Sequence, residues 1–236
     1  MKKRVLILGA SSDIGVELVK LYLKNNYNVV AHYNKNIKNL KKINNKNLSF
    51  LKFDLKQINS FENFIKRKQK MFLNFDIFVS LTGYLNLKKI DNAKINDFNN
   101  HINVNYLSNF LVIRSVVKGM LKRNWGRIVL SSSIGTKFGG SENSFIYSLS
   151  KYMNQFFPKI YKSFIKRNVL INTLQIGLTD TKMNLIDKTK NLKKRIKLIP
   201  LARMASKTEV AAYIHFLTSE KNNLIANQII NISGGE

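Results

Sequence analysis

Short apolar runs alternate with segments of helical period along the whole chain. The runs at 4–8, 28–33, 49–53, 75–81, 127–131, 170–175 and 228–232 are rich in Val, Ile, Leu and Phe. Most are continuous, the mark of strands covered on both faces in a parallel sheet. Helical periodicity fills the gaps at 13–24, 59–71, 97–123, 145–166 and 208–218. In the first of these, Ile14, Leu18, Val19, Leu21 and Tyr22 share one side. Strand–helix alternation predicts an α/β, Rossmann-type doubly wound parallel sheet of about seven strands with right-handed crossovers. No linker or repeat divides the chain, so one domain spans 1–236. The stretch 179–206 breaks the pattern. It is polar, basic and contains Pro200, and a loop of that length suits a substrate lid.

Composition narrows this picture. A length of 236 residues is enough to bury a substantial core. The formal net charge is +27, which favours anionic partners through long-range attraction. The lysines are spread evenly and come with many asparagines, as in KNIKNLKKINNKN, which reads as compositional drift. Without a nucleic-acid module signature, nucleic acid is not the expected partner. The absence of cysteine excludes disulfides, thiolate metal sites and a Cys nucleophile, and no metal is expected. The opening apolar run is too short for a signal peptide, and no stretch reaches the roughly 18 apolar residues of a membrane span. The expected location is the cytoplasm.

Candidate chemistry begins at GASSDIG, residues 9–15. Gly9 allows a tight turn after the first strand, and Gly15 a close approach of helix to sheet or phosphate. Free N–H groups and the helix dipole draw an anion to the helix start, and Ser11 and Ser12 can add hydroxyl donors. Asp13 suits a first helical turn but would repel a phosphate. Its carboxylate is therefore expected to point away or to engage another group. The second strand ends VVAHYNKN without the acid that usually receives a ribose 2′-hydroxyl. Asn34 and Lys35 stand there instead, and a lysine attracts a 2′-phosphate. This favours NADP(H) over NAD(H). Further on, Tyr147 and Lys151 in YSLSK lie four apart on one helix face, after a serine cluster at 131–133. A neighbouring ammonium stabilises a tyrosinate, so the phenol can exchange a proton with a substrate oxygen while a serine hydroxyl holds it.

In order and spacing, these parts resemble the short-chain dehydrogenase/reductase family over nearly the full length. The matching stretches are GASSDIG, FDL at 53–55, DIFVSLTG at 76–83 and Asn105 in NVNYLSNF. GRIVLSSSIG at 126–135, YSLSK, INTLQIGLTDT at 171–181 and the terminal INISGGE complete the series. The resemblance implies a catalytic tetrad of Asn105, a serine, Tyr147 and Lys151, with Asn105 holding a water that links Lys151 to solvent. Counting forward from Gly126 gives Ser133; counting back from Gly135 gives Ser132. The strand is the more rigid ruler, so Ser133 is preferred and Ser132 is the alternative. The same resemblance puts Ile14 in the cofactor loop, Asp54 and Leu55 beside the adenine, and Thr82 and Gly83 at the ribose. It has Tyr147 and Lys151 hold the nicotinamide ribose. Ile176, Gly177 and Thr179 would line the nicotinamide, and Thr181 would lie near the phosphates.

Three departures stand out. Asp13 replaces the family's middle loop glycine; Ser80-Leu81-Thr82-Gly83 replaces Asn-Asn-Ala-Gly; Ile176-Gly177 replaces Pro-Gly. None removes a catalytic group. The chain looks most like bacterial 3-oxoacyl-carrier-protein reductases and reductases of surface-sugar biosynthesis. The implied activity is an NADP(H)-dependent interconversion of carbonyl and alcohol on a small or carrier-bound substrate. The alternative is a non-catalytic dinucleotide-binding scaffold or sensor. A basic lid carrying Lys182, Lys188, Lys190, Lys193, Lys194, Arg195, Lys197 and Arg203 suits an anionic or carrier-bound substrate. Arg127 and Arg167 fall where the carrier-protein reductases have arginines that grip an acidic carrier. The resemblance also implies a homotetramer or homodimer joined through the helices at 99–123 and 145–166.

Overall fold

Seven parallel strands form one sheet in the computed structural model, which describes residues 2–160, 162–186 and 191–236. They are β1 (Arg4–Leu8), β2 (Asn28–Tyr33), β3 (Leu48–Lys52), β4 (Ile77–Ser80), β5 (Gly126–Ser133), β6 (Val169–Ile176) and β7 (Ile229–Ile232). Their spatial order is β3-β2-β1-β4-β5-β6-β7, so the direction of winding reverses between β1 and β4. A crevice forms at such a reversal, outside the carboxyl ends of the strands.

The continuous apolar runs have a direct cause. Along β1, Leu6 and Leu8 enter the core on one face, while Val5 and Ile7 enter the core on the other. Period-two alternation therefore buries every residue of such a strand. On the first face lie helices α3 (Ile58–Arg67), α4 (Gln69–Leu73) and α6 (Ser108–Arg123), through Phe61, Phe72, Val112 and Val116. On the second face α1 (Asp13–Lys24) packs against α10 (Lys207–Thr218), with Leu18, Tyr22, Val210 and Ile214 between them. The remaining helices are α2 (Lys38–Lys41), α5 (Ile95–Ile102), α7 (Phe145–Tyr152), α8 (Phe157–Ile160) and α9 (Leu192–Lys197).

The long helices expected from periodicity are interrupted. The segment 59–71 breaks at Lys68, whose backbone leaves helical geometry. The segment 97–123 contains one π-helical turn, Asn103–Leu107, between α5 and α6. After α7 the chain tightens into a 3₁₀ turn, Met153–Phe156, and restarts as α8 with Pro158 in its first turn. Proline has no N–H for the ladder and is tolerated there but not in a helix interior. The stretch 179–206 holds a 3₁₀ turn at Lys182–Leu185 and then α9. An isolated parallel bridge between Thr179 and Ala205 ties its two ends. Lys188 and Lys190 lie outside the described residues. Among those described, no helix is long and apolar enough to cross a membrane.

Candidate active site

A cleft of about 840 Å³ opens at the carboxyl ends of β1, β4, β5 and β6, within the usual range of about 300–1,000 Å³ for small-molecule sites. One wall begins at the nucleotide loop. Gly9 has φ +72°, and a Cβ there would stand 2.7 Å from the Leu81 carbonyl oxygen. At Gly15 a Cβ would stand 2.6 Å from the Ala10 carbonyl oxygen. Both positions admit only glycine, so the loop lies flat against β4 and its own helix. Ser12 caps α1: its Oγ accepts from the Gly15 N–H at 3.1 Å and donates to the Gly9 carbonyl at 2.8 Å. That hydroxyl is committed to the turn, and Ser11, Ser12 and Ile14 all line the cleft.

A residue that sequence reasoning missed holds the loop from below. His32 of β2 is 3% exposed. Its Nδ1 accepts from the Gly9 N–H at 3.1 Å, which leaves Nε2 to donate to the Phe53 carbonyl at 3.0 Å. Burial holds its pKa down at about 4, so the imidazole is neutral in this role. The only signal in the sequence is a polar residue inside an apolar run.

Beyond β2, Asn36 and Asn39 line the cleft; Asn34 and Lys35, expected at a 2′-phosphate, are not among its lining residues, and Lys35 and Asn36 are both exposed. The cause is local: Asn36 Oδ1 accepts from the Lys38 N–H at 3.0 Å and turns the chain into α2. Asp54 and Leu55 also lie off the wall. Asp54 Oδ1 accepts from the Lys56 N–H at 3.1 Å, and Leu55 is drawn into the core. Asp13 lines the cleft, and its carboxylate engages another group there: its Oδ2 accepts from the Lys182 N–H at 2.8 Å.

The opposite wall carries the candidate catalytic groups. Lys151 is 2% exposed, and its Nζ donates to the Thr82 carbonyl at 2.7 Å and to Ser131 Oγ at 2.8 Å. Burial pulls its pKa down to about 7. Tyr147 lies one turn earlier on α7, half-buried, with its hydroxyl 4.0 Å from Met183 Sδ. Burial pushes this phenol up to about 12, against the lowering expected from the neighbouring ammonium. Ser131 and Ser133 share a face of β5. Ser133 Oγ accepts from the Gly135 N–H at 3.2 Å. Ser132 faces the other way: it donates to the Lys151 carbonyl at 3.0 Å and accepts from Gln155 Nε2 at 3.0 Å. Gly83, Ile176, Gly177, Thr179 and Thr181 all line the cleft. Thr179 Oγ1 donates to the Gly177 carbonyl at 3.1 Å.

Asn105 makes no direct hydrogen bond to Lys151. Its Oδ1 accepts from the Tyr84 N–H at 2.7 Å, and its Nδ2 donates to the Tyr84 carbonyl and to Ser150 Oγ, both at 2.9 Å. The π turn frees its own carbonyl, which receives the amides of Asn109 at 2.9 Å and Asn154 at 2.8 Å. Its amide thus pins the irregular segment that continues from Thr82 and Gly83. Arg127 overturns its expected role in gripping a partner. It is 0% exposed, at the opposite end of β5 from the cleft. Its Nη1 donates to the carbonyls of Gly126 and Asn168 and to Asn168 Oδ1, and its Nη2 to the Asn222 carbonyl. Arg167 lies at the same far edge, bonded to Asn124. Of the cations in 179–206, Arg195 pairs with Glu236 and Arg203 with Glu209.

The family model for short chain dehydrogenases matches residues 3–191. The chain belongs to that family. A 3-oxoacyl-[acyl-carrier-protein] reductase of Buchnera aphidicola (subsp. Baizongia pistaciae) is 28% identical over 99% of this chain and 97% of its own length. A second, from Aquifex aeolicus, is 33% identical over 68% of this chain and 64% of its own length. Among solved structures, ElxO with NADP bound superposes with a TM-score of 0.85 at 26% identity, covering 100% of this chain and 98% of that one. As a short-chain dehydrogenase the protein is an oxidoreductase on a Rossmann-type sheet. Among its described residues, no group of three or more His, Asp or Glu gathers into a metal site.

Proposed function

We propose that the protein interconverts a carbonyl and an alcohol with NADP(H), using Tyr147 as the proton donor and acceptor. The observation that carries this is the Lys151 ammonium. It is buried in the cleft, held by two protein acceptors, and keeps its third N–H for a ligand on the same helix face as Tyr147. The site fits a dinucleotide: the glycine-only cradle at Gly9 and Gly15 leaves helix N–H groups open to a pyrophosphate. When bound, the nicotinamide supplies or takes up the hydride. In reduction, Tyr147 holds its proton at neutral pH and gives it to the carbonyl oxygen. A charged Lys151 stabilises the tyrosinate left behind. Ser133 is the serine proposed to hold the substrate oxygen, since its own proton is uncommitted and both contacts of Ser132 lie within the fold. Asn105 is assigned a positioning role on the segment after β4.

Leu85, Leu87, Ile134, Phe138 and Ile186 give the cleft an apolar arm, which suits a carbonyl on an aliphatic chain. The 3-oxoacyl-[acyl-carrier-protein] relatives, and an acetoacetyl-CoA reductase of Allochromatium vinosum at 26% identity, make a thioester-carried 3-oxoacyl group the proposed substrate. The 179–206 segment is proposed as the lid of a single domain. Exposed Tyr152 and Phe156 on the α7 side support a homodimer or homotetramer through these helices; light scattering at the monomer mass would overturn that assembly. For the activity, NADPH oxidation is followed with a panel of ketones and 3-oxoacyl thioesters. Turnover in the wild type that collapses in Tyr147→Phe is expected; no turnover with any substrate sinks the reading in favour of a non-catalytic scaffold. For the cofactor, calorimetry compares NADPH with NADH. Tighter NADPH binding is expected. Lys35→Glu should weaken it less than threefold, and Asn36→Asp should weaken it more, because Asn36 lines the wall.

A further inference from the structure

The aspartate that replaces a loop glycine is the one feature of the nucleotide loop that the proposed reaction leaves unused. Asp13 is not needed as a helix cap, because Ser12 serves α1. Its carboxylate instead reaches across the mouth of the cleft to a backbone N–H 169 residues away. That N–H belongs to Lys182, the first residue of the 3₁₀ turn Lys182–Leu185, where an N–H has no partner within the turn. The next residue, Met183, then projects into the cleft. Its Sδ lies 4.0 Å from the Tyr147 hydroxyl, and its Cε would stand 2.9 Å from a Cβ built on Gly83. Asn184 Nδ2 donates to the Thr179 carbonyl and braces the far side of the turn.

We propose that Asp13 is a positioning residue that latches the lid to the nucleotide loop, closing the cleft and slowing release of the cofactor; the second half rests on the function proposed above. A glycine at this position has no side chain to make the contact. The latch joins the loop proposed to hold the pyrophosphate to the turn whose Met183 covers Tyr147. A cofactor lying between them cannot leave without breaking the Asp13–Lys182 bond. The same bond keeps Met183 on the catalytic hydroxyl until a substrate displaces it.

The test uses the full chain as wild type, Asp13→Ala and Asp13→Asn. Asparagine keeps a neutral acceptor for the Lys182 N–H and removes the charge beside the phosphates, so the two variants separate latch from repulsion. Amide hydrogen exchange is measured first, without cofactor. Protection of the Lys182 amide is expected to fall about tenfold or more in Asp13→Ala, as for loss of a charge-assisted hydrogen bond, and less in Asp13→Asn. Stopped-flow release of NADPH, followed by its fluorescence, is expected to be several-fold faster in Asp13→Ala than in Asp13→Asn. Unchanged Lys182 protection in Asp13→Ala overturns the latch. Lost protection with equal release rates overturns its control of the cofactor. If the protein binds no NADPH, the function proposed above fails, while the exchange measurement still decides the latch. Should Asp13→Ala fail to fold, wild type against Asp13→Asn gives the same comparison with a smaller expected difference.

Discussion

Arg127 and Lys151 are both cations buried against the same strand, and they do opposite things. Arg127 sits at the amino end of β5, gives four hydrogen bonds to fixed protein acceptors and lies 4.6 Å from the Trp125 ring centroid. Burial lowers its pKa to about 10, which leaves it charged at any working pH. Lys151 sits at the carboxyl end, with two acceptors for three donors and a pKa lowered to about 7. A cation nearly saturated by backbone carbonyls fastens the fold. A cation left one bond short in a cleft can serve a ligand. The end of the strand decides which, because only the carboxyl edge meets the crevice.

The largest expected effect separates these two roles most sharply. Tyr147→Phe removes the proposed proton donor, one turn before Lys151, and is expected to lower kcat by about 10²–10⁴-fold, with the melting temperature held. A mutant retaining more than a tenth of the wild-type rate would break the comparison. Arg127→Met should do the reverse. It strands buried carbonyls at Asn168 and Asn222, so a stability loss of about 3 kcal/mol is expected in urea unfolding, with KM unchanged.

A pH titration of stability extends the same logic to His32. Its folded pKa of about 4 lies below the ordinary 6.5 because burial excludes the charged form. The unfolded chain therefore takes up a proton first as pH falls. Stability from the neutral imidazole is complete above about pH 6.5 and is lost progressively down to about pH 4, by up to about 3 kcal/mol. His32→Gln should flatten that slope in urea unfolding between those pH values; an unchanged slope would remove His32 as its source. The smallest expected effect concerns Ser131. Ser131→Ala takes one acceptor from Lys151 and favours its neutral form. The fall in kcat/KM for reduction, expected above pH 7, should move to lower pH by a few tenths of a unit, with Ser131→Thr restoring it.

Several of these residues show why some features were legible in the chain and others were not. Tyr147 and Lys151 were legible because a helix brings positions four apart together whatever surrounds them. Gly9 and Gly15 were legible because a tight turn between strand and helix has few solutions. Asn36 and Asn39, which line the cleft beyond β2, were not legible: the Lys38 N–H bonded to Asn36 Oδ1 sets a single turn there, and no periodicity reports it. Arg127 was misread because a charged residue near a strand start looks the same in sequence whether it is solvated or buried. The bonds of Asn105 were not legible, since its carbonyl is freed by a π turn and receives the amide of Asn154, 49 residues along the chain.

The sequence by itself determined the α/β alternation, the two buried faces of the sheet, the nucleotide turn and the Tyr147–Lys151 pair. Each follows from local geometry, a period of two or 3.6 residues or a glycine that nothing else can replace. Only the tertiary structure shows the bond of Ser132 to the Lys151 carbonyl, the burial of Arg127 against Asn168 and the reach of Asp13 to Lys182. Those depend on which groups meet across separations of 19 to 169 residues. A hydrogen bond is satisfied by whatever the fold brings within about 3 Å, and no pattern along the chain encodes that distance.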